Sequence, residues 1–326
     1  MGPALKTVLL TDPIASEGER LLSETLKVVQ APDSTPDTIR RLAKDADGVI
    51  IRSKLPDDIF EVAPRLKAVC VHGTGTDLIP LASATARGVL VANVPGANAQ
   101  TVAEYCVLAM LMLARNIMNI TSALRTKPWD EARRLGSVAQ ELDGATVGVV
   151  GVGEIGRRVA KICRDGFSMR VLGNQRRIDR LPAGVEGVAL EKLLGESDYV
   201  IVTCPLTPET RHLVNARTLG LMKKSAWIVN VGRGAVIDEK ALVDALKKRQ
   251  IAGAMLDVYE HYRLSPDHEL LKLDNVILTP HLAGNTVAAR GRASIAAAGE
   301  MLRMLAGERP LNLVNPDAWE AACARA

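Results

Sequence analysis

Residues 151–156 read GVGEIG, and the meaning of these six residues decides the fold. They follow TVGVV, an apolar β-branched run that begins at Thr146, and they open a segment in which Ile155, Val159 and Ile162 recur at helical spacing. A strand, a glycine-rich turn and a helix in that order make a phosphate-binding βα unit. Gly151 permits the tight turn, Gly153 lets the backbone approach a pyrophosphate, and Gly156 lets the helix pack against the strand. The free N–H groups and positive end of the helix then face the phosphates, with Glu154 and Ile155 in the same turn. The implied ligand is a dinucleotide.

The same βα rhythm extends to both sides. Short apolar runs ending in Gly, Pro or a polar residue occur at KTVLLTD (from 6), DGVII (47), LKAVCVHG (66) and VLVANVP (89). A second series runs from TVGVVG through MRVLG (169), DYVIVTCP (198), AWIVNVGRG (226), GAMLDVYE (253) and NVILTPH (275). Runs apolar on both faces read as buried parallel strands, so the expected class is α/β with two Rossmann-like domains. A stretch from about Asn98 to Asn119 is apolar on nearly every face and reads as a crossover helix sandwiched between the two units. A helix from about Thr286 to Leu305 and an extended tail, PLNLVNPD, close the chain. The expected organisation is a dinucleotide-binding domain of 98–287 inserted into a substrate domain of 1–97 and 288–326.

Composition narrows the function. A chain of 326 residues, 48% hydrophobic, can bury two cores. The net charge of +4 comes from mixed signs without blocks, which does not ask for nucleic acid. Five scattered cysteines, odd in number and without C-x-x-C spacing, argue against a disulfide framework and for a reducing cytoplasm. The N-terminus lacks a signal-peptide pattern, and the greasiest run, YCVLAMLMLA at 105–114, is too short for a membrane span. No metal site is expected.

The strand MRVLG should end at the adenosine ribose, where Asn174, Gln175, Arg176 and Arg177 follow. No carboxylate stands there. A carboxylate about 4 Å from a 2′-phosphate would be repelled by roughly 4 kcal/mol per unit charge at an effective dielectric of about 20, whereas two arginines attract it. NADP(H) is therefore favoured over NAD(H), which stays possible. Further cofactor contacts are expected beyond the strand ends at Pro205, Thr210 and Val231.

In an open parallel sheet the chemistry sits beyond the carboxyl ends of the strands. Arg233 ends AWIVNVGRG, His281 ends NVILTPH, and GAMLDVYE leads to Asp257, Glu260 and Tyr262. A permanent cation can grip a carboxylate and polarise a carbonyl, and an imidazole can give and take a proton near neutral pH. Together they suit hydride exchange between a nicotinamide and a small 2-oxo acid.

These strings resemble the D-isomer-specific 2-hydroxyacid dehydrogenase family over essentially the whole chain: GVGEIG, NVGRGAVID, LDVYE, TPHLAG and NVPGANAQTVAE all match its pattern. The resemblance implies that Arg233 binds substrate, His281 is the acid and base, and Asp257 holds the nicotinamide carboxamide. It further implies that Thr74 and Gly75 of HGTGTD cradle the substrate carboxylate and that Asn98 lines the active-site cleft. Arg52, Ser53 and Lys54, closing GVII, are similarly placed for the distal end of a substrate. A homodimer built around 98–145 is implied too, and because the sequence ends soon after PLNLVNPD, the regulatory domain of some phosphoglycerate dehydrogenases is not expected.

One position departs from the pattern. The family places a glutamate five residues after the aspartate of LDV, where it keeps the catalytic histidine protonated; here that residue is Tyr262. A neutral phenol can orient an imidazole without stabilising its charge as a carboxylate does, and Glu260 could substitute only through a rearranged loop. Two alternatives follow: a nucleotide-sensing binding protein of corepressor type, and a formate-type or phosphite-type dehydrogenase. Sensing alone requires neither Arg233 nor His281.

Overall fold

The computed structural model describes residues 5–323, and its contacts divide the chain into two units. The first comprises residues up to Asn98 together with those from Asn285 onward, and the second spans Ala99–Gly284.

The first unit holds five parallel strands: β1 (Thr7–Leu10), β2 (Lys27–Gln30), β3 (Gly48–Ile51), β4 (Ala68–Val71) and β5 (Leu90–Ala92), in the order β2-β1-β3-β4-β5. Strands β3 and β4 are buried throughout, which is why they read as continuous apolar runs. Strand β2 was not anticipated; it lies at the sheet edge, exposes Lys27 and Gln30, and so carries a weak pattern. Helices Ser16–Ser23 and Val287–Ala306 pack together on one face. The Thr286 hydroxyl caps the second of these by accepting from the Ala289 N–H at 3.2 Å.

The tail closes the opposite edge of this sheet. Buried Glu300 accepts from the Leu311 N–H at 2.8 Å and the Asn312 N–H at 3.1 Å, and Leu313 then bridges to Ala92 of β5. Asn315 accepts from the Val91 N–H at 2.8 Å, and its amide donates to the Val89 carbonyl at 2.9 Å. Pro316–Cys323 is helical, so the stretch expected to be extended turns into a helix at its proline, a residue well suited to a first helical position.

The second unit holds seven parallel strands: β6 (Thr146–Val150), β7 (Arg170–Asn174), β8 (Glu186–Gly187), β9 (Tyr199–Val202), β10 (Trp227–Asn230), β11 (Gly253–Leu256) and β12 (Val276–Leu278). Their order, β12-β11-β10-β9-β6-β7-β8, is doubly wound, with the winding reversing between β6 and β9. Strand β8, two exposed residues at the edge, left no readable signal. The long apolar helix is two helices, Ala99–Ala114 and Ile117–Thr126, bent by 55°. Asn116 breaks it with φ 51°, a left-handed conformation that asparagine tolerates better than most residues. The first of the two buries Val102, Cys106, Met110 and Leu113 with Val149, Ile201 and Val229 of the sheet. Among the described residues no single helix is long and apolar enough to cross a membrane.

His72, just after β4, supplies a pH-dependent element of the first unit. Burial pushes its pKa down to about 4, assisted by Arg52 and Arg290 and opposed by Asp12, while its Nε2 meets the Ser294 hydroxyl at 2.8 Å. A lowered folded pKa means that the unfolded chain takes up the proton first, so the neutral ring's contribution is complete above about 6.5 and declines toward about 4. Urea unfolding between pH 7.5 and 4.5 should lose up to about 3 kcal/mol from this group. His72→Gln should flatten that slope, and an unchanged slope would remove His72 as its source.

Candidate active site

Parallel pairing brings the carboxyl ends of the seven strands, and the loops that follow them, to one edge of the second unit's sheet. After β6 the chain turns at Gly151, with φ +95°, where an added Cβ would lie 2.6 Å from the Cys204 backbone. The Thr203 hydroxyl donates to the Gly151 carbonyl at 2.6 Å and ties this turn to the end of β9. Helix Glu154–Phe167 begins after Gly153 without a side-chain cap. A Cβ at Gly153 would meet nothing within 4 Å, whereas one at Gly156 would lie 2.4 Å from the Gly151 carbonyl oxygen. The turn thus offers an open face and an uncapped helix end, which fit a pyrophosphate.

At the end of β7, Asn174 is anchored through its amide to the Val188 carbonyl at 2.9 Å. Gln175 donates to the Arg177 carbonyl at 2.6 Å, and the Arg177 guanidinium pairs with Asp179 at 2.9 Å. Arg176 is exposed and close enough to Glu209 to help hold that carboxyl below its usual range, an effect owed first to the Thr207 hydroxyl. Asp179 and Glu209 were not anticipated; each is an acid that a bound phosphate would have to displace. Thr210 spends its hydroxyl on its own loop, accepting from the Thr207 N–H at 2.7 Å and reaching the Pro205 carbonyl at 2.7 Å, and Val231 follows β10 with its side chain buried.

Arg233 stands in extended backbone three residues beyond β10, half-buried. The buried Asn230 braces its turn, accepting from the Gly232 N–H at 3.1 Å and donating to the Arg233 carbonyl at 3.1 Å. At Gly234 a Cβ would fall 1.8 Å from the Tyr259 carbonyl carbon, so the residue after Arg233 has to be glycine for the two loops to touch.

His281 is exposed and has φ +56°, unusual for a residue with a side chain. Its N–H donates to the Asp257 carbonyl at 2.9 Å and the Thr279 carbonyl at 3.1 Å. The Asp257 carboxylate, 1% exposed, accepts from the Thr279 hydroxyl at 2.6 Å, the Leu282 N–H at 2.7 Å and the Ala283 N–H at 2.8 Å. Its observed hydrogen bonds therefore go to the loop that carries His281.

Tyr262, 69% exposed, meets His281 edge to face with ring centroids 6.1 Å apart. Glu260 is engaged elsewhere. Its Oε1 lies 2.8 Å from His212 Nε2, and its backbone N–H donates to Glu239, which in turn meets His268 at 3.1 Å. His212, Glu239 and His268 gave no sequence signal, because three loops far apart in the chain bring them together.

In the first unit, Arg52 and Ser53 follow β3, with the Ser53 hydroxyl donating to Asp12 at 2.9 Å and the Arg52 N–H to the Thr11 hydroxyl at 3.2 Å. Thr74 and Gly75 lie in the loop after β4, where the Thr74 carbonyl accepts from Asn93 at 2.7 Å. Asn98 is the half-buried residue before helix Ala99–Ala114.

Residues 107–283 match the model of the NAD binding domain of D-isomer specific 2-hydroxyacid dehydrogenases. A glyoxylate reductase of Thermofilum pendens is 37% identical over 321 residues, covering 95% of this chain and 94% of that protein. A D-3-phosphoglycerate dehydrogenase of Methanocaldococcus jannaschii is 39% identical over 314 residues, which are 94% of this chain and 59% of the relative's length. The solved structure of an NADPH-dependent glyoxylate/hydroxypyruvate reductase from Sinorhizobium meliloti, in complex with NADP and malonate, is similar with a TM-score of 0.83 at 28% identity, covering 97% of this chain and 98% of that one.

The turn geometry separates two glycine substitutions. Gly153→Ala puts a methyl group into open space, so its melting temperature should stay near that of the parent while dinucleotide affinity, measured by calorimetric titration, falls at least about tenfold, equal to 1.4 kcal/mol. Gly156→Ala should instead lower stability by about 1–3 kcal/mol through overpacking. Unaltered affinity in the Gly153 variant would mean that phosphates do not bind at this turn.

Proposed function

The chain belongs to the D-isomer specific 2-hydroxyacid dehydrogenase family, and from that premise we propose that it reduces a small 2-oxo acid, glyoxylate or hydroxypyruvate being the first candidates, to the D-2-hydroxy acid with NADPH. Activity with a nicotinamide cofactor on 2-hydroxy acids is the property of the family; the choice of acid and of cofactor is the proposal. What carries it is the placement of an uncapped glycine turn, Arg233 and His281 at the carboxyl ends of strands of one sheet.

When bound, the nicotinamide supplies the two-electron reduction of the carbonyl carbon. In this reading the Arg233 guanidinium grips the substrate carboxylate and draws charge from the carbonyl oxygen, which lowers the barrier as that oxygen becomes negative. His281 gives the oxygen its proton and takes it back in the reverse direction. Tyr262 steadies the imidazole by ring contact. Arg52, Ser53, Thr74, Gly75 and Asn98 remain proposed substrate contacts, and Asp257 a proposed cofactor contact. The preference for NADPH rests on Gln175 in place of an acid and on Arg176 and Arg177, with Asp179 and Glu209 acting against it.

The finer proposal includes a homodimer in a reducing cytoplasm. Four described cysteines are buried free thiols. Leu108, Ile117, Met118, Leu124, Trp129 and Val138 expose apolar side chains within the segment expected to pair with a second copy. Light scattering of Met118→Asp/Trp129→Asp should report half the parent's mass, and a parent that is already monomeric dismisses this assembly.

Activity is tested with a panel of 2-oxo acids against NADPH and NADH. Arg233→Ala should lose about 3–4 kcal/mol of transition-state stabilisation, some 10²–10³-fold in kcat/KM, by comparison with loss of an oxyanion donor. His281→Gln should lose comparable activity while still binding cofactor. Full turnover in either variant, or no oxidation of either cofactor by any acid, rejects the reading.

A further inference from the structure

We infer that Tyr105, on helix Ala99–Ala114, is a positioning residue for the loop that carries His281, acting through the Thr279 hydroxyl on the Asp257 carboxylate. The inference rests on the acid–base reading of His281. Left-handed backbone at a residue with a Cβ persists only where surrounding bonds determine it. Here the determining group is Asp257. Its carbonyl accepts from the His281 N–H at 2.9 Å, and its carboxylate accepts from the next two N–H groups, Leu282 at 2.7 Å and Ala283 at 2.8 Å.

Hydrogen counting assigns a direction to the rest of the chain. An ionised carboxylate only accepts, and a threonine hydroxyl owns one hydrogen. Thr279 lies 2.6 Å from Asp257 Oδ1, so its hydrogen goes there, and its remaining contact with the Tyr105 hydroxyl has to be one in which the phenol donates. Tyr105 thereby orients the threonine toward the carboxylate, and the carboxylate holds the Thr279 side chain ahead of His281 and the backbone N–H groups of Leu282 and Ala283 after it. Tyr259 holds the same threonine from another side, donating to its carbonyl at 2.8 Å. Burial raises the pKa of Tyr105, and burial followed by the Asp257 charge pushes Tyr259 up to about 12, so both phenols keep the hydrogens these bonds require at neutral pH. In Tyr105→Phe the threonine hydroxyl loses its donor and can rotate away from Asp257.

The test is a double-mutant cycle on the full chain with NADPH and its best 2-oxo acid. Tyr105→Phe and Thr279→Val should each lower kcat by about tenfold or more, the order expected when the Thr279 hydrogen bond to the Asp257 carboxylate is lost, with KM for cofactor within about twofold of the parent. The double variant should be no slower than Thr279→Val alone, because both changes break one chain of bonds. Thr279→Ser, which keeps the hydroxyl, should recover most of the activity. Parental kcat in Tyr105→Phe, or losses that multiply in the double variant, overturns the inference, as does a lowered melting temperature with intact kinetics. Loss of turnover in His281→Gln beside parental kinetics in Tyr105→Phe sinks the relay alone; turnover surviving in His281→Gln sinks the acid–base reading beneath it.

Discussion

Parallel pairing is the constraint on which the rest of this molecule depends. Strands that all run one way deliver their carboxyl ends to one edge, and every loop that leaves that edge is forced into the same neighbourhood. The glycine turn after β6, the arginine after β10, the aspartate after β11 and the histidine after β12 are separated by about 130 residues of sequence, yet all stand beyond strand ends of one sheet. The apolar faces that bury this sheet between helices therefore also organise its chemistry.

Buried polar groups do the finer positioning. Asp257 and Asn230 are each 1% exposed, and each braces the loop that carries His281 or Arg233, respectively, with hydrogen bonds to backbone N–H or carbonyl groups. Such groups would be costly if left unmatched, so their bonds and the loop conformation stand or fall together. The left-handed backbone at His281 is the visible result. Tyr262 supplies a ring contact to His281, and Glu260 is engaged with His212.

The loop after β7, proposed for the ribose end of a nucleotide, shows a balance of another kind. Two arginines follow β7, but Arg177 already has Asp179 and Arg176 has Glu209 within electrostatic reach. Exposed pairs of this kind are weak, so a dianionic phosphate can outcompete them while a bare ribose has no need to.

The sequence by itself determined the class of fold and the nucleotide turn. Buried parallel strands are continuous apolar runs, and a glycine that must approach phosphate or backbone allows no substitute. The placement of Arg233 and His281 beyond strand ends was legible for the same reason, since each stands three residues past such a run. Edge strands β2 and β8, half exposed or only two residues long, carried no comparable pattern, and the break at Asn116 depended on one residue's tolerance for positive φ. Only the tertiary structure decided how the loops hold one another. The bond from Tyr105 to Thr279 joins residues 174 apart in sequence, and the His212–Glu260 and Glu239–His268 pairs join loops from different strands. Contacts of that kind arise from where the sheet delivers its loops, a property of the folded chain that no local stretch of residues encodes.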